Sequence, residues 1–380
     1  MIRFVLSTIG TSILTNLIDR GCPTEGTWFG ILRDSANLNY DELTAETEEV
    51  INALAERALE KLMEDSATTN CRISAELNGI YGIYGGQLPT DSNDEHYLIC
   101  TDTAQGQKTG ALIKDFLESQ GFTVGIVTPP RLSTQDPESF TMGTKELIKW
   151  LEDNVPWRRE SGYHVIFNLV GGFKSLQGYM NTFGAFYADE VVYIFESPTA
   201  DLIKIPRLPI QIDATIIEKY LTEFALMDAG KLYPVEELEG ISETLLEFVE
   251  ENGTTYAGLS AWGELLWNRT KSDLLSEELL QFPRLVYQQS FINDCKNLNN
   301  QQWTKLQETL AKIAAALENS GGDISQLNQQ VSGLNFEQLT NLDHICTFRI
   351  TRGVRVSCEI AHDGLTLRHY GNHDDVYDNP

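Results

Sequence analysis

No apolar run in this chain of 380 residues approaches the roughly 18 consecutive residues that a membrane-spanning helix requires. The apolar start carries Arg3 at once and lacks the small-residue cleavage pattern of a secretory leader. A cytoplasmic protein with no membrane partner is expected. Cysteine is scarce: Cys22, Cys71, Cys100, Cys295, Cys346 and Cys358 are scattered, form no CxxC pair and have no Cys/His spacing suited to zinc. They read as reduced core residues, and no metal is expected. Basic residues are few as well, 28 Lys and Arg against 55 Asp and Glu, for a formal charge of -27. Such a surface repels phosphate in general and argues against nonspecific nucleic-acid binding over the whole molecule. Also missing is a G-x-G-x-x-G turn followed by a ribose-binding acid, which argues against an ordinary nucleotide-dependent enzyme.

The charge is unevenly spread. Residues 284–380 hold eight Lys/Arg against eleven Asp/Glu, a net of -3, so the preceding 283 residues carry -24. Four of the six histidines, His344, His362, His369 and His373, fall in that last stretch. Any contact with RNA is expected there.

The chain is organised around His164 to Tyr179, HVIFNLVGGFKSLQGY. Its β-branched apolar run is what a parallel sheet buries on both faces. The run ends on Gly171-Gly172, helix-compatible spacing continues from Ser175 to Phe186, and Val191 to Phe195 reads as the next strand. This βαβ unit places backbone N–H groups, a helix start and the Lys174 ammonium together, the outline of an anion site. The same residues also read as a tight turn with a solvated lysine. Ile2 to Leu6 is a second buried-type strand, leading into the hydroxyl-rich turn Ser7-Thr8-Ile9-Gly10-Thr11-Ser12 and a helix over Ile13–Asp19. The hydroxyls suit a phosphate or ribose, although Ser and Thr are also common helix caps. Tyr40–Glu64 reads as a long solvated helix, and Gly79 to Gln87, GIYGIYGGQ, as a flexible loop or a hairpin. A strand at Tyr97–Cys100 ends on Thr101-Asp102-Thr103, followed by a helix over Gln107–Gln120, a strand over Phe122–Val127 and a helix over Thr144–Asn154. Repetition of strand, polar turn and helix over residues 2–196 predicts a doubly wound α/β domain.

Residues 207–283 change character. Periodicity predicts helices over Ile216–Met227, Val235–Glu251, Leu259–Asn268 and Lys271–Leu280, which suits a small helical or winged-helix connector. Reading DNA would need a basic recognition helix, and Asn268-Arg269-Thr270-Lys271 is the one candidate in an acidic stretch.

The last 97 residues carry the chemistry. A short strand at Leu285-Val286-Tyr287, a helix at Phe291–Leu298 and an amphipathic helix through Trp303, Leu306, Leu310, Ile313 and Leu317 precede three strands, Ile345–Thr351, Val354–Ile360 and Leu365–Tyr370. Asp363-Gly364 is a hairpin signal. Period-2 alternation sends Val354, Val356, Cys358 and Ile360 to the core and Arg355, Ser357 and Glu359 to the other face; Arg349 joins them, and so do Thr366, Arg368 and Tyr370. Arg349, Arg355 and Arg368 are therefore expected to converge, with few carboxylates beyond Glu359 to neutralise them. A bound phosphate would relieve their repulsion. With His373 and Tyr377 in the tail, the set suits cleavage of RNA by its own 2′-hydroxyl, arginines stabilising the phosphorane and a His, Tyr or carboxylate moving protons. A solvated sheet face of paired arginines is the alternative.

The segment FRITRGVRVSCEIAHDGLTLRHYGNHDDVY, Phe348 to Tyr377, resembles the RelE/ParE toxin superfamily over about residues 284–380. That resemblance implies an α+β ribonuclease cutting mRNA in the ribosomal A site, with Arg349, Arg352, Arg355, Arg368, His373 and Tyr377 as catalytic candidates. It departs from the pattern of some RelE enzymes in having Arg349 and Thr351 or Arg352 where those have a lysine pair. Residues 1–206, through STIGTS (Ser7–Ser12) and NLVGGFKS (Asn168–Ser175), resemble the Rossmann-like CARF sensor domains of type III CRISPR accessory proteins. This implies a homodimer that binds cyclic oligoadenylate through Ser7, Gly10, Thr11, Ser12, Thr101, Gly171, Gly172, Phe173 and Lys174. Taken together, a CARF domain at 1–206, a winged-helix-like connector at 207–283 and a RelE-like ribonuclease at 284–380 resemble the CRISPR-associated mRNA interferases. The resemblance implies cyclic tetra-adenylate as activator, the ribosome and mRNA as partners, and metal-independent 2′-OH transesterification. A CARF-containing DNA-binding transcription regulator is the rival reading.

Overall fold

The structure is a computed structural model, and it describes residues 1–64, 66–194, 201–339, 342 and 344–380. The chain forms two compact units, Met1–Gln211 and Ile212–Pro380. Both are mixed α/β. Among the described residues no helix is long and apolar enough to cross a membrane.

The first unit is built on six strands: β1 (Arg3–Thr8), β2 (Glu95–Ile99), β3 (Thr123–Val127), β4 (His164–Asn168), β5 (Glu190–Ile194) and β6 (Leu202–Pro206). They lie in the order β3-β2-β1-β4-β5-β6, the first five parallel and β6 antiparallel on the edge. Phe4, Val5 and Leu6 of β1 and Val165, Ile166 and Phe167 of β4 are buried without alternation, as parallel strands covered on both faces must be. The order progresses outward in opposite directions from the β1–β4 pair, which makes the carboxyl ends of these two strands the topological switch point. The expected strand at Val191–Phe195 is β5; Phe195 itself lies outside the described residues.

GIYGIYGGQ is neither loop nor hairpin. Most of it belongs to the helix Ala75–Ile83, started by Ser74, whose hydroxyl accepts the Leu77 N–H at 3.2 Å. Gly79 and Gly82 serve packing rather than flexibility: a Cβ on Gly79 would collide with Asn168 Oδ1, so the helix can cross the end of β4 only without one. The helix expected over Ile13–Asp19 is a single turn, Ser12–Thr15.

The second unit has one continuous core running from Ile217 to Leu367, so residues 212–283 pack together with residues 284–380. A small sheet, β7 (Tyr233–Pro234), β8 (Leu246–Glu251) and β9 (Thr254–Leu259), has the order β7-β9-β8. The helix expected over Val235–Glu251 is absent. Short 3₁₀ turns at Val235–Leu238 and Glu243–Leu245 lead into β8, and Asn252-Gly253, both at positive φ (51° and 80°), close a two-residue hairpin. Left-handed Asn-Gly turn chemistry overrides the apolar spacing. The two helices expected between Leu259 and Leu280 are one, Ala261–Leu274, capped by the Ser260 hydroxyl.

The second sheet comprises β10 (Leu285–Tyr287), β11 (Glu337–Gln338), β12 (Ile345–Arg349), β13 (Val354–Ile360) and β14 (Leu365–Asn372), in the order β10-β14-β13-β12-β11. Only β10 and β14 pair in parallel. The helix Asn300–Asn319 buries Leu306, Leu310, Ile313 and Leu317 in the unit's core. Between β13 and β14 the register shifts: Ser357 faces His369, but Cys358 faces Leu367, leaving Arg368 as the extra residue of a bulge. One inserted residue reverses the alternation beyond it. Tyr370, expected on the polar face, packs against the core, and His369 takes the polar face instead.

Candidate functional sites

At the switch point of the first unit, the loop after β1 and the loop after β4 touch. Thr8 Oγ1 donates to the Gly171 carbonyl at 2.6 Å, and a Cβ on Gly10 would sit 3.1 Å from the Gly172 nitrogen. Gly172 has φ +96°, where a side chain would also meet Thr8. Behind the loops stands Glu76, a fully buried carboxylate from the first turn of the Ala75–Ile83 helix. Its Oε1 accepts the Gly10 N–H at 2.7 Å, its Oε2 accepts the Ser74 hydroxyl at 2.8 Å, and Ser12 Oγ is 3.5 Å from Oε2. A Cβ on Gly171 would strike this carboxylate. Burial pushes the Glu76 carboxyl above its ordinary value, against the hydrogen bonds that hold it.

Several expected ligand-binding groups are committed within the protein. The Gly10 N–H belongs to Glu76. Ser7 is buried, and its hydroxyl accepts from Asn168 Nδ2 at 3.1 Å. Thr101, at the end of β2, is buried with its hydroxyl 3.0 Å from that of Thr103. Thr11, Ser12, Gly172 and Phe173 are half-buried at the loop surfaces, and Lys174, first residue of the helix Lys174–Tyr187, is exposed. The switch point thus brings together Gly10, Thr11, Ser12, Gly171, Gly172, Phe173 and Lys174, with Ser7 beneath them. Sequence reasoning missed Glu76, because nothing in SAELNG marks one of 55 acidic residues as buried.

In the second unit Arg349 and Arg355 are direct partners across β12 and β13, on the face opposite the core. Arg355 is only 7% exposed. Its Nη1 is 3.1 Å from Glu337 Oε1 on the edge strand β11, an ion-pair distance, and its Cζ lies 5.6 Å from the Tyr377 ring centroid. Tyr377 donates its hydroxyl to the same Glu337 oxygen. The His373 ring stacks on Tyr377, with centroids 4.3 Å apart and planes 19° off parallel. Both lie on the terminal helix His373–Asp378, which is pinned by the His373 N–H to the Gly353 carbonyl at 3.0 Å. Arg352 is exposed in the turn between β12 and β13, beside Gly353.

Arg368 stands at the bulge and pairs with Glu359. Glu359 is four residues along β13 from Arg355, roughly 13 Å at strand rise. The three arginines therefore occupy a strip of one face rather than one point. The face also carries more carboxylates than expected: Glu337 on Arg355, and Asp294, whose Oδ2 is 3.0 Å from His369 Nδ1. Even so, among the described residues Arg349 Nε, Arg368 Nε and the Thr347 hydroxyl are buried without a hydrogen-bond partner, and Arg355 Nη1 is close to Glu337 without the alignment of a hydrogen bond. Thr347 and Ser357, both fully buried, form the floor between these longer side chains. Sequence reasoning missed Glu337 and Asp294, and it noted His369 as one of four histidines in the last stretch without giving it a role. The first two come from elements whose pairing with this face is long-range, and the third depends on the bulge.

Residues 71–208 match a family described as CRISPR-associated protein (Cas_APE2256). Among solved structures, a chain of the RelB–RelE antitoxin–toxin complex from Methanococcus jannaschii aligns with 25% of this chain and 99% of its own length, at 14% identity and a TM-score of 0.19.

Proposed function

We propose that this chain is a CRISPR accessory effector in which the first unit senses a cyclic oligoadenylate and the second cuts RNA. The observation that carries the cutting role is a set of buried guanidinium nitrogens, Arg349 Nε, Arg355 Nη1 and Arg368 Nε, that make no hydrogen bond among the described residues, although Arg355 and Arg368 each lie in an ion pair with a glutamate. Buried charged donors are costly to leave unpaired, and a phosphodiester supplies acceptor oxygens with the complementary charge. As the 2′-hydroxyl attacks, negative charge grows on the non-bridging oxygens, and donors fixed before the reaction stabilise that charge more than the ground state. In this reading Tyr377, hydrogen-bonded to Glu337 and beside Arg355, protonates the leaving O5′. Arg352, exposed in the neighbouring turn, serves RNA binding.

The sensing role is supported by the switch point. Thr11, Ser12, Gly172, Phe173 and Lys174 surround a helix start, where backbone N–H groups and the ammonium favour an anionic ring. In this reading a homodimer binds cyclic tetra-adenylate, and binding shifts the protein to a state that cleaves mRNA on the ribosome. Such coupling needs an activator that prefers one state over the other.

The test is to incubate the full chain with translating ribosomes and each ring size of cyclic adenylate, then map mRNA ends. New 5′-hydroxyl ends that depend on cyclic adenylate and vanish in Arg355→Ala support the proposal. Intact mRNA under every condition defeats it.

A further inference from the structure

We propose that His369, oriented by Asp294, is the proton-transfer group of the RNA-cutting site; this rests on the RNA-cleavage reading above. The bulge at Arg368 decides the matter geometrically. It turns His369 onto the polar face opposite Ser357, one row along the sheet from the Arg349–Arg355 pair. Diagonal positions of this kind stand about 7–8 Å apart at the backbone, within reach of long side chains and of a bound phosphodiester.

The imidazole is held from behind. Asp294 Oδ2 is 3.0 Å from His369 Nδ1 and also accepts the Tyr370 N–H at 3.1 Å, which fixes the carboxylate against β14. The Ser290 hydroxyl donates to the Arg368 carbonyl at 2.6 Å and ties the helix Gln289–Cys295 to the same strand. The His369 N–H reaches Ser357 Oγ at 3.2 Å. A carboxylate on Nδ1 selects the tautomer whose Nε2 can accept a proton, and among the described residues Nε2 has no hydrogen-bond partner. His373 is held less firmly. Its partner is the adjacent Asp374, whose side chain is 95% exposed, and its ring lies flat on Tyr377.

The step balances without an outside reagent. His369 Nε2 takes the proton of the 2′-hydroxyl as that oxygen bonds to phosphorus. The P–O5′ bond breaks, and O5′ leaves with the Tyr377 phenol proton. The imidazolium then returns its proton to the phenolate through water. A 2′,3′-cyclic phosphate and a 5′-hydroxyl result.

The experiment measures ribosome-dependent cutting with cyclic tetra-adenylate for the full-length parent, Arg355→Ala, His369→Ala, His369→Gln and Asp294→Asn, alongside thermal midpoints. Both His369 variants are expected to lose ~10²-fold or more in kcat while melting within a few degrees of the parent. Added imidazole should restore part of the His369→Ala rate. Asp294→Asn should lower kcat by about tenfold or more with little change in KM, and Asp294→Glu should recover part of it. Cutting at the parental rate by either His369 variant, or no recovery with imidazole, overturns the assignment. A parent that cuts while Arg355→Ala does not leaves the RNA-cleavage reading standing in that event; a parent that never cuts removes the reading itself.

Discussion

Arg349 and Arg355 face one another as register partners across β12 and β13, two like charges on the same side of the sheet. Like charges directly opposite are destabilising, and among the described residues Glu337 pairs with Arg355 and not with Arg349. In the proposed reading the pair takes up an anion. Sulfate or phosphate should raise the melting temperature of the parent, and less so for Arg349→Ala or Arg355→Ala, as read by calorimetry across an anion titration. Equal shifts in all three proteins would show that no anion uses this face.

Arg355→Ala should lower RNA cleavage by about 10²–10³-fold, the usual cost of removing one fixed donor to a developing oxyanion. Arg355→Lys should recover little, because an ammonium lacks the planar fork. Single-turnover cleavage rates decide this.

Lys174→Ala should weaken cyclic tetra-adenylate binding by roughly tenfold or more, about 1.4 kcal/mol, measured by titration calorimetry. It should leave basal stability unchanged, since the side chain is exposed. A gel shift with duplex DNA, with and without activator, tests the transcription-regulator alternative. A sequence-specific shift would favour that alternative.

Glu76→Ala should destabilise the first unit by about 1–3 kcal/mol, because the buried Gly10 N–H loses its acceptor. Glu76→Gln keeps an acceptor oxygen there. Because burial raises the folded carboxyl above its unfolded value, the stability it contributes is complete below the ordinary carboxylate range and is lost as pH rises through the folded value. Glu76→Gln should therefore melt closer to the parent than Glu76→Ala does, and show a flatter dependence on pH above that range. Denaturant titrations at several pH values measure both.

His96 gives the opposite slope. It is fully buried, its Nε2 is 3.0 Å from the Tyr84 hydroxyl, and desolvation lowers it from 6.5 to about 4. A depressed folded value contributes stability above pH 6.5 that is lost as pH falls towards 4, on the order of 3 kcal/mol in all. His96→Gln should remove that part of the acid sensitivity. An unchanged acid midpoint in the variant would contradict it.

Much of the fold is legible in the sequence because it rests on local signals. The apolar run Val165–Phe167 and the Gly171-Gly172 pair beyond it mark β4 and its turn, and Leu306, Leu310, Ile313 and Leu317 mark a helix with one buried face. Val235–Glu251 misleads because its apolar spacing suggests a helix, whereas Asn252-Gly253 at positive φ demands a hairpin. GIYGIYGGQ misleads because its Gly79 answers to Asn168, on a distant strand, rather than to its neighbours.

The sequence by itself determined which residue types could meet a phosphate: the arginines near the end of the chain, and the Gly-Gly-Phe-Lys turn near its middle. Only the tertiary structure decided which of their donors are already committed. Glu76 reaches Gly10 across 66 positions, Asp294 reaches His369 across 75, and one bulge residue exchanges His369 for Tyr370 on the polar face. Composition and periodicity are local quantities, whereas hydrogen-bond partners and strand register are set by long-range packing, where a single inserted residue reverses every side chain beyond it.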